Sequence, residues 1–224
     1  TFMNKPLKFS SAKTKLLWVT DPHLQHRPDW GDTPPLWKSR GFKSGDEHDA
    51  WFDAEWVKHV DVDTTIFSLG DHTFSDPKGE RFRRFSNLPG RILGLTGNHF
   101  SGLKTLYREA MKTRGLGDHE MLYPFTLGNF TLMGESIHAY IDSTSVFMSH
   151  YPHRVWPEIG VGGFHCHGHC HRKLIESNPE TTTAGKVLDC SVDNAIVYNG
   201  TPFFSWDDIK HIMSKKPVVK RDHH

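Results

Sequence analysis

Short apolar runs that stop abruptly at polar turns recur along the first half of the chain. Residues 15–20, 64–69 and 91–96 are such runs, and each is followed by a turn and then by a longer stretch of mixed polarity. A short apolar run between turn residues is typical of a strand that is buried on both faces. Three strand–turn–helix units in succession predict parallel β-strands whose carboxyl ends lie at one edge of a sheet.

The stretches after these runs have helical character at residues 46–60, 78–87 and 102–114. Asp46 is expected to cap the first helix, because a carboxylate there accepts a hydrogen bond from a free backbone N–H of the first turn. The apolar side of this helix is predicted to consist of Ala50, Trp51, Phe52, Ala54 and Val57.

The second half of the chain has shorter runs separated by tight turns, which predict an antiparallel sheet. Further strands are predicted later in the chain, followed by a last helix to about residue 213 that Ser205 caps. The predicted strands are residues 121–127, 129–134, 136–142, 144–149, 186–192 and 195–198.

Two polar segments interrupt this pattern and are predicted to be loops. Residues 25–46 are rich in Pro, Gly, Asp and Trp, and residues 151–164 include a glycine-rich stretch at 160–163 that we expect to be flexible. Long ordered loops in compact domains are frequently functional. We therefore expect these two loops to determine substrate specificity.

Composition indicates one globular domain over residues 1–224, with residues 222–224 treated as the remnant of a purification tag. The net charge of +1 gives no electrostatic reason for binding to nucleic acid or to a membrane. Three cysteines, an odd number, argue against a disulfide framework and for a reducing compartment, so we expect a cytoplasmic protein. The oligomeric state is left open.

Five short motifs of oxygen and imidazole ligands follow one another along the chain. Carboxylate, amide and imidazole groups are the ligands that borderline divalent metals such as Mn, Fe and Zn take. Three of the motifs directly follow predicted parallel strands, so we expect them to converge where open α/β sheets bind ligands. The motifs are Asp21-Pro22-His23, Gly70-Asp71-His72, Gly97-Asn98-His99, Ser149-His150-Tyr151 and Gly168-His169-Cys170-His171.

This ordered set resembles the motifs of the calcineurin-like metallophosphoesterases, which run D-x-H, G-D, G-N-H, H and G-H-x-H. A second histidine soon after the first motif, His26, and the Ser-Val-Asp-Asn segment at 191–194 resemble a compact bacterial and phage-type branch. The resemblance implies an α/β (α+β) fold of two stacked mixed sheets flanked by helices. It also implies a dinuclear metal site at the carboxyl ends of the strands.

By this resemblance, seven residues would hold two divalent ions, with Mn favoured and Fe, Zn or Ni as alternatives. His99 would not bind metal but would lie over the substrate phosphate as a general acid or charge stabiliser. One ion would take Asp21, His23 and His171, the other Asn98, His150 and His169, and Asp71 would bridge both.

The reaction that the resemblance implies is hydrolysis of a phosphodiester or a phosphomonoester by a hydroxide that bridges the two ions. The expected partner is a small phosphate ester, with nucleotides among the candidates. A nuclease is the first alternative, which the near-neutral charge disfavours. A scaffold that has lost catalysis on the same fold is the second.

The chain departs from the family pattern at two positions within these motifs. Phe100 stands where an acidic residue usually follows G-N-H and could orient the histidine, so His99 needs another partner. Pro22 stands where a small or hydroxyl residue is common, and its fixed φ stiffens the turn. Residues 72–75 also lack the arginine of the phosphoprotein phosphatases, which argues against a phosphoprotein substrate.

Five further residues near the motifs are candidates for contacting the substrate, each with a structural alternative. His26 and Arg27 could equally lie in a solvated loop, and His72 could equally pack in the core. The histidine-rich residues 165–171 are expected to be extended, with the histidines on one face; a structural zinc site is the alternative. The substrate candidates are His26, Arg27, His72, His167 and Arg172.

Overall fold

The computed structural model describes residues 5–26, 34–115 and 121–220. Over these ranges the chain forms two mixed β-sheets with helices packed outside them, which confirms the predicted fold class. Within the same ranges, no helix combines the length and the apolar character that crossing a membrane requires.

The first sheet has six strands, of which the inner four are parallel and the two at the edges are antiparallel to their neighbours. It contains the three strands predicted in the first half of the chain. In spatial order the strands are β11 (Phe204–Ser205), β2 (Leu16–Val19), β3 (Thr65–Ser68), β4 (Arg91–Leu95), β6 (Phe130–Gly134) and β5 (Phe125–Leu127).

The second sheet has five strands, and only β7 and β8 run antiparallel within it. The prediction of one antiparallel sheet for residues 121–149 is therefore wrong, since β5 and β6 join the first sheet and β6 pairs in parallel with β4. In spatial order the strands are β1 (Leu7–Phe9), β7 (Ser136–Ile141), β8 (Thr144–Ser149), β9 (Phe164–His167) and β10 (Val187–Asp189).

Six α-helices and two 3-10 turns connect these strands in the described ranges. The predicted loop 25–46 contains the short helix α1, and the predicted flexible loop at 160–163 overlaps the 3-10 turn Ile159–Val161. The helices are α1 (Leu36–Ser39), α2 (Gly45–His59), α3 (Glu80–Ser86), α4 (Ser101–Thr113), α5 (Val192–Asn199) and α6 (Trp206–Ser214).

Helix α2 differs from its prediction in both its cap and its buried face. Ser44 is the N-cap, and its hydroxyl accepts a hydrogen bond from the N–H of Glu47 at 3.1 Å. The buried side chains are His48, Phe52 and Trp56, one turn apart, whereas Val57 is 66% exposed. Aromatic rings bury more apolar area than Ala or Val, so they determine which face turns inward.

Residues 195–198 form part of α5, not a strand as predicted. Val192 and Ala195 are buried at helical spacing, and Gly200 ends the helix in the left-handed conformation with its N–H bonded to Ile196 O. The segment Ala-Ile-Val-Tyr has β-forming side chains, but packing of the helix on the sheet outweighs this local preference. At the last helix, Ser205 and Asp208 form the capping box of α6, as predicted for the Ser205 cap.

Apolar side chains fill two layers, one between the sheets and one under the helices. Trp18 and Phe67 lie in the layer between the sheets, with Met148 and Cys166 from the second sheet. The layer between the first sheet and α2, α3 and α4 is largely aromatic. Its fully buried rings include Phe52, Trp56, Phe82, Phe85 and Phe130.

Candidate metal centre

Loops at the carboxyl ends of strands from both sheets bring the predicted ligands together. Asp21, Asp71 and Asn98 follow β2, β3 and β4, whose parallel pairing places these ends at one edge of the first sheet. His150 follows β8 and His169 follows β9 of the second sheet. The site therefore lies where the two sheets meet, because the ligand loops of both end there.

Two groups of possible ligand atoms lie at this edge. Within each group, all the ligand atoms are within 4.8 Å of one another. The first group is Asp21, His23 and His171, which is the set predicted for one ion. Oδ1 of Asp21 lies 3.7 Å from Nε2 of His23 and 3.8 Å from Nε2 of His171.

The second group is Asp21, Asp71 and His150. Oδ2 of Asp71 lies 3.3 Å from Nε2 of His23 and 3.5 Å from Nε2 of His150. Asp71 thus contacts one histidine from each predicted ion site, as a bridging carboxylate must.

Asn98 and His169 complete the outer side of the second group. Oδ1 of Asn98 lies 2.9 Å from Nε2 of His150 and 2.9 Å from Nδ1 of His169. Both residues are exposed, whereas Asp21, Asp71 and His150 are buried. All seven predicted ligands are therefore gathered in one site with a solvent-facing side.

Five of these seven predicted ligands have a left-handed backbone conformation, which residues other than glycine seldom adopt. Such strained residues persist where the surrounding structure fixes them, and they concentrate at functional sites. The φ values are 56° for Asp21, 47° for His23, 50° for Asp71, 69° for His169 and 46° for His171.

The glycines of the motifs leave room for the carboxylates. A Cβ on Gly97 would lie 2.0 Å from Oδ1 of Asp71, and a Cβ on Gly168 would lie 2.4 Å from Oδ2 of Asp21. These positions are too crowded for any side chain. The motif pattern of glycine beside a ligand therefore has a steric cause in this fold.

Hydrogen bonds fix which nitrogen of two histidines faces the site. Nδ1 of His150 donates to the carbonyl of Leu69 at 3.0 Å, and Nδ1 of His171 donates to Oδ2 of Asp193 at 2.8 Å. Because Nδ1 carries the proton, the lone pair of Nε2 in each ring faces the carboxylates. Partners of this kind orient metal-binding histidines and increase their basicity.

The electrostatics of the site fit bound cations. Burial, with the charge of Asp21, raises the pKa of Asp71 to about 7, and burial lowers the pKa of His23 to about 3. Oδ1 of Asp21 and both ring nitrogens of His23 are buried without a hydrogen-bond partner within the described ranges. Polar atoms in this condition are costly unless something binds them, and divalent ions would satisfy both carboxylates and the neutral imidazole.

Asp193 and Arg40 support the first ligand group and were not singled out from the sequence. The buried guanidinium of Arg40 donates to both oxygens of Asp193 and to the carbonyls of Asp21 and Pro22. Burial raises the pKa of Asp193, but the charge of Arg40 and the bond from His171 hold it below its usual range. The Ser-Val-Asp-Asn segment is the signal that could have indicated Asp193, whereas Arg40 lies in a loop without one.

His99 lies beside the ligands on the accessible side of the site. Its ring centroid is 5.3 Å from that of His23, and its backbone N–H donates to Oδ1 of Asp71 at 2.7 Å. Burial lowers its pKa. No side chain among the described residues hydrogen-bonds the ring; Phe74 packs against it instead, with centroids 4.5 Å apart.

Phe100 does not orient His99, the role that the resemblance implies for an acidic residue at this position. It is the N-cap of α4 and packs partly into the aromatic layer under the helices. Its ring also lines an open cleft beside Asn98 and His150.

Two of the five substrate candidates, His72 and His167, are buried in the fold, which favours the structural alternative for each. His72 is 1% exposed and packs among Phe82, Phe85 and Phe130. His167 is fully buried, with Nδ1 donating to Gly168 O and Nε2 bonded to the Ser177 hydroxyl, each at 2.8 Å.

The remaining substrate candidates have mixed positions. His26 is largely buried, accepts a hydrogen bond from the N–H of Leu36 and stacks on Phe74 at 4.0 Å. Arg172 pairs with Glu180 at 2.6 Å, so its charge is already engaged. Arg27 lies outside the described residues.

The histidine-rich segment is extended over half of its predicted length. Strand β9 ends at His167, and positive φ at His169 and His171 turns those two rings into the site, so the four histidines do not share one face. Neither ligand group contains a cysteine, and Cys166 lies in the core between the sheets. The geometry therefore does not favour a separate structural zinc site.

Comparison with known proteins adds a fold relationship but no activity. No family model matches the chain. The gene 66 protein of Mycobacterium phage L5 is 29% identical to it over 147 residues, which is 59% of this chain and 68% of that protein.

A crystal structure of a protein of unknown function from Aquifex aeolicus resembles this chain with a TM-score of 0.56. The match covers 89% of this chain and 99% of that one, at 17% sequence identity. At this identity the likeness concerns the fold alone.

Proposed function

We propose that this chain is a metal-dependent phosphoesterase that hydrolyses a phosphodiester or phosphomonoester of a small or nucleotide-like alcohol. The observation that carries the proposal is that the two ligand groups share Asp21, while Asp71 lies within 3.5 Å of a histidine from each group and His99 lies beside them. Two ligand groups that share a carboxylate suit a two-ion site for in-line phosphoryl displacement.

The chain supplies the ligands and holds them in place. Divalent ions bound there would neutralise phosphate oxygens and acidify a water molecule, which are the main demands of phosphoryl transfer. Asp71 is the residue that would serve both ions, because its Oδ2 lies 3.3 Å from Nε2 of His23 and 3.5 Å from Nε2 of His150. Its Oδ1 is held by the N–H of His99, so its orientation is fixed.

In the proposed hydrolysis a water oxygen forms a bond to phosphorus and the bond from phosphorus to the ester oxygen breaks. The departing alcohol oxygen then takes up a proton. His99 is the residue placed to give that proton or to hydrogen-bond the phosphate, since its ring is half-buried and adjoins His23. Phe74 holds the ring by stacking, in place of the usual carboxylate.

The test is hydrolysis of bis(4-nitrophenyl) phosphate and of 4-nitrophenyl phosphate by metal-stripped protein reloaded with Mn, Ni, Zn or Mg. We expect turnover with at least one ion, its loss on chelation, and its loss in Asp71→Asn. The exposed His211 on α6 provides a matched control, because His211→Ala should leave turnover unchanged.

Two results would overturn the proposal. Turnover that persists in a chelator, at the wild-type rate, would exclude the two-ion mechanism. Ions bound at the ligands with no turnover of any ester would favour the scaffold alternative on the same fold.

A further inference from the structure

An open cleft of about 780 Å³ adjoins the outer side of the second ligand group. Asn98 and His150 form part of its wall, so a molecule in the cleft would be in contact with the site. The cleft also contains Phe100, which replaces the acidic residue of the family pattern and which the proposed mechanism does not use.

Accessible aromatic rings are the main feature of this cleft. Tyr151 is 49% exposed and its ring centroid lies 4.6 Å from that of His169. Tyr123, which is 43% exposed, and Phe100 line the same space. Rings at a cleft wall offer flat faces on which another ring can stack.

The charged groups of the cleft are of both signs. The ammonium of Lys104 lies 5.9 Å from the centre of the Phe100 ring. Burial raises the pKa of the Tyr123 phenol, and the nearby carboxylate of Glu135 adds to that rise. Lys104 suits a negative phosphate, whereas Glu135 can accept hydrogen bonds from hydroxyl or amino groups. The cleft therefore matches a ligand with an anionic part, a ring and hydrogen-bond donors.

A second cleft of about 670 Å³, on the side of His171, fits such a ligand less well. Its two arginines are engaged, Arg40 with Asp193 and Arg172 with Glu180. Its apolar lining is aliphatic, from Leu36 and Ile196 among others.

We propose that Phe100 and Tyr151 form a slot for a planar aromatic ring in the organic part of the substrate, so that the enzyme prefers ring-bearing phosphate esters such as nucleotides. This inference rests on the proposed function, because it assigns the specificity of that same site. It also gives Phe100 a role: the position after Gly-Asn-His serves substrate binding in this chain, and Phe74 holds His99.

The test compares adenosine 5′-monophosphate with ribose 5-phosphate, which differ only by the base. Binding is measured by calorimetry with the full chain in the presence of a chelator, and kcat and KM are measured with the reloaded protein. Stacking of one base on aromatic side chains corresponds to roughly 5- to 150-fold in affinity. We expect the ratio of affinities to lie in that range and to appear in KM more than in kcat.

Variants locate the effect. Tyr151→Ala and Phe100→Ala should reduce the ratio toward one, and Phe100→Trp should keep it. Tyr198→Ala removes a partly exposed tyrosine of α5 and should not change the ratio. Tyr151 is half-exposed, so its variant remains informative if Phe100→Ala fails to fold.

Each outcome separates the slot from the proposed function. Equal affinity for adenosine 5′-monophosphate and ribose 5-phosphate would overturn the proposed slot, even if generic esters are hydrolysed. If calorimetry shows tighter binding of adenosine 5′-monophosphate than of ribose 5-phosphate but no ester is turned over, the slot is supported and the proposed function fails. Binding of 2-phenylethyl phosphate as tight as that of adenosine 5′-monophosphate would assign the slot to planar rings in general, and weaker binding would assign it to nucleobases.

Discussion

Oδ2 of Asp193 lies 2.8 Å from Nδ1 of His171 and accepts a hydrogen bond from its N–H. The same carboxylate accepts two hydrogen bonds from the buried guanidinium of Arg40. This guanidinium also donates to the backbone carbonyls of Asp21 and Pro22 in the first motif. The orientation of a proposed metal ligand thus depends on a carboxylate 22 positions later in the chain and on an arginine from the loop before α2.

Asp193→Asn is expected to weaken metal binding without removing a ligand. The amide oxygen accepts a weaker hydrogen bond from the His171 N–H, and the amide lacks the charge that balances Arg40. The ring of His171 therefore loses its fixed orientation. Loss of such a supporting carboxylate costs roughly 10- to 100-fold in metal affinity or activity. Titration of the metal-stripped protein with Mn or Zn measures this.

The control for Asp193→Asn is Asp207→Asn, which makes the same chemical change at a side chain that is 89% exposed on α6. It should bind metal like the wild type. Equal affinity in Asp193→Asn would show that the contact with His171 does not support a ligand.

Gly97→Ala is expected to abolish metal binding and to lower the stability of the fold. The added Cβ would lie 2.0 Å from Oδ1 and 2.6 Å from the backbone nitrogen of Asp71, so both the carboxylate and the backbone of Asp71 must shift. Gly200→Ala is the comparison: it meets no atom within 4 Å, and strain at φ +76° costs about 1–2 kcal/mol. Metal titration and thermal unfolding distinguish the two, and unchanged metal affinity in Gly97→Ala would contradict the assigned position of Asp71.

Asp71→Asn is expected to stabilise the metal-free protein at neutral and higher pH. The folded-state pKa of Asp71 is about 7, above its usual 3.8, because of burial and the nearby Asp21. Between those values the folded state binds more protons than the unfolded state, so wild-type stability falls as pH rises through this window. The cost is up to roughly 4 kcal/mol above pH 7.

The measurement is the free energy of unfolding of both proteins in a chelator from pH 4 to pH 8. The variant should gain over the wild type as pH rises to about 7 and hold a constant advantage beyond it. A wild type that is the more stable of the two at pH 8 would mean that burial and the charge of Asp21 do not raise the pKa of Asp71.

His99→Ala is expected to slow hydrolysis by a factor that depends on the leaving group. Positioned proton donors contribute typically 10²–10⁴-fold to the rate. A nitrophenolate departs without needing a proton, so the loss should be large for an alkyl ester such as glycerol 2-phosphate and small for 4-nitrophenyl phosphate. Equal losses for the two esters would assign His99 to phosphate binding and not to proton transfer.

The parts of the fold that could be predicted are those that local sequence determines. Strands β2, β3 and β4 are short apolar runs ended by polar turns, and the motifs at their ends identify the candidate ligands by residue type and position. Helix α5 was predicted wrongly because Ala195 to Tyr198 favour a strand locally, and only burial of Val192 and Ala195 against the sheet selects the helix.

The parts of the site that could not be predicted depend on contacts between distant segments. Arg40 and Asp193 are 153 positions apart, and neither has a local pattern that indicates their ion pair. His72 and His167 stand in or beside the motifs, as the predicted ligands do. The ring of His72, however, is enclosed by the aromatic layer, and the ring of His167 is hydrogen-bonded to Ser177. The residue types in the motifs therefore identified candidate ligands, but the sequence did not show which way each side chain points.

The most direct measurement for the central claim counts metal ions and turnover together. Metal-stripped protein is titrated with Mn, and bound ion and hydrolysis of bis(4-nitrophenyl) phosphate are followed at each step. The account predicts two ions bound per chain, turnover that begins as the second ion binds, and loss of both turnover and one ion in Asp71→Asn. Saturation of the ligands without turnover, or full turnover with no ion bound, would contradict it.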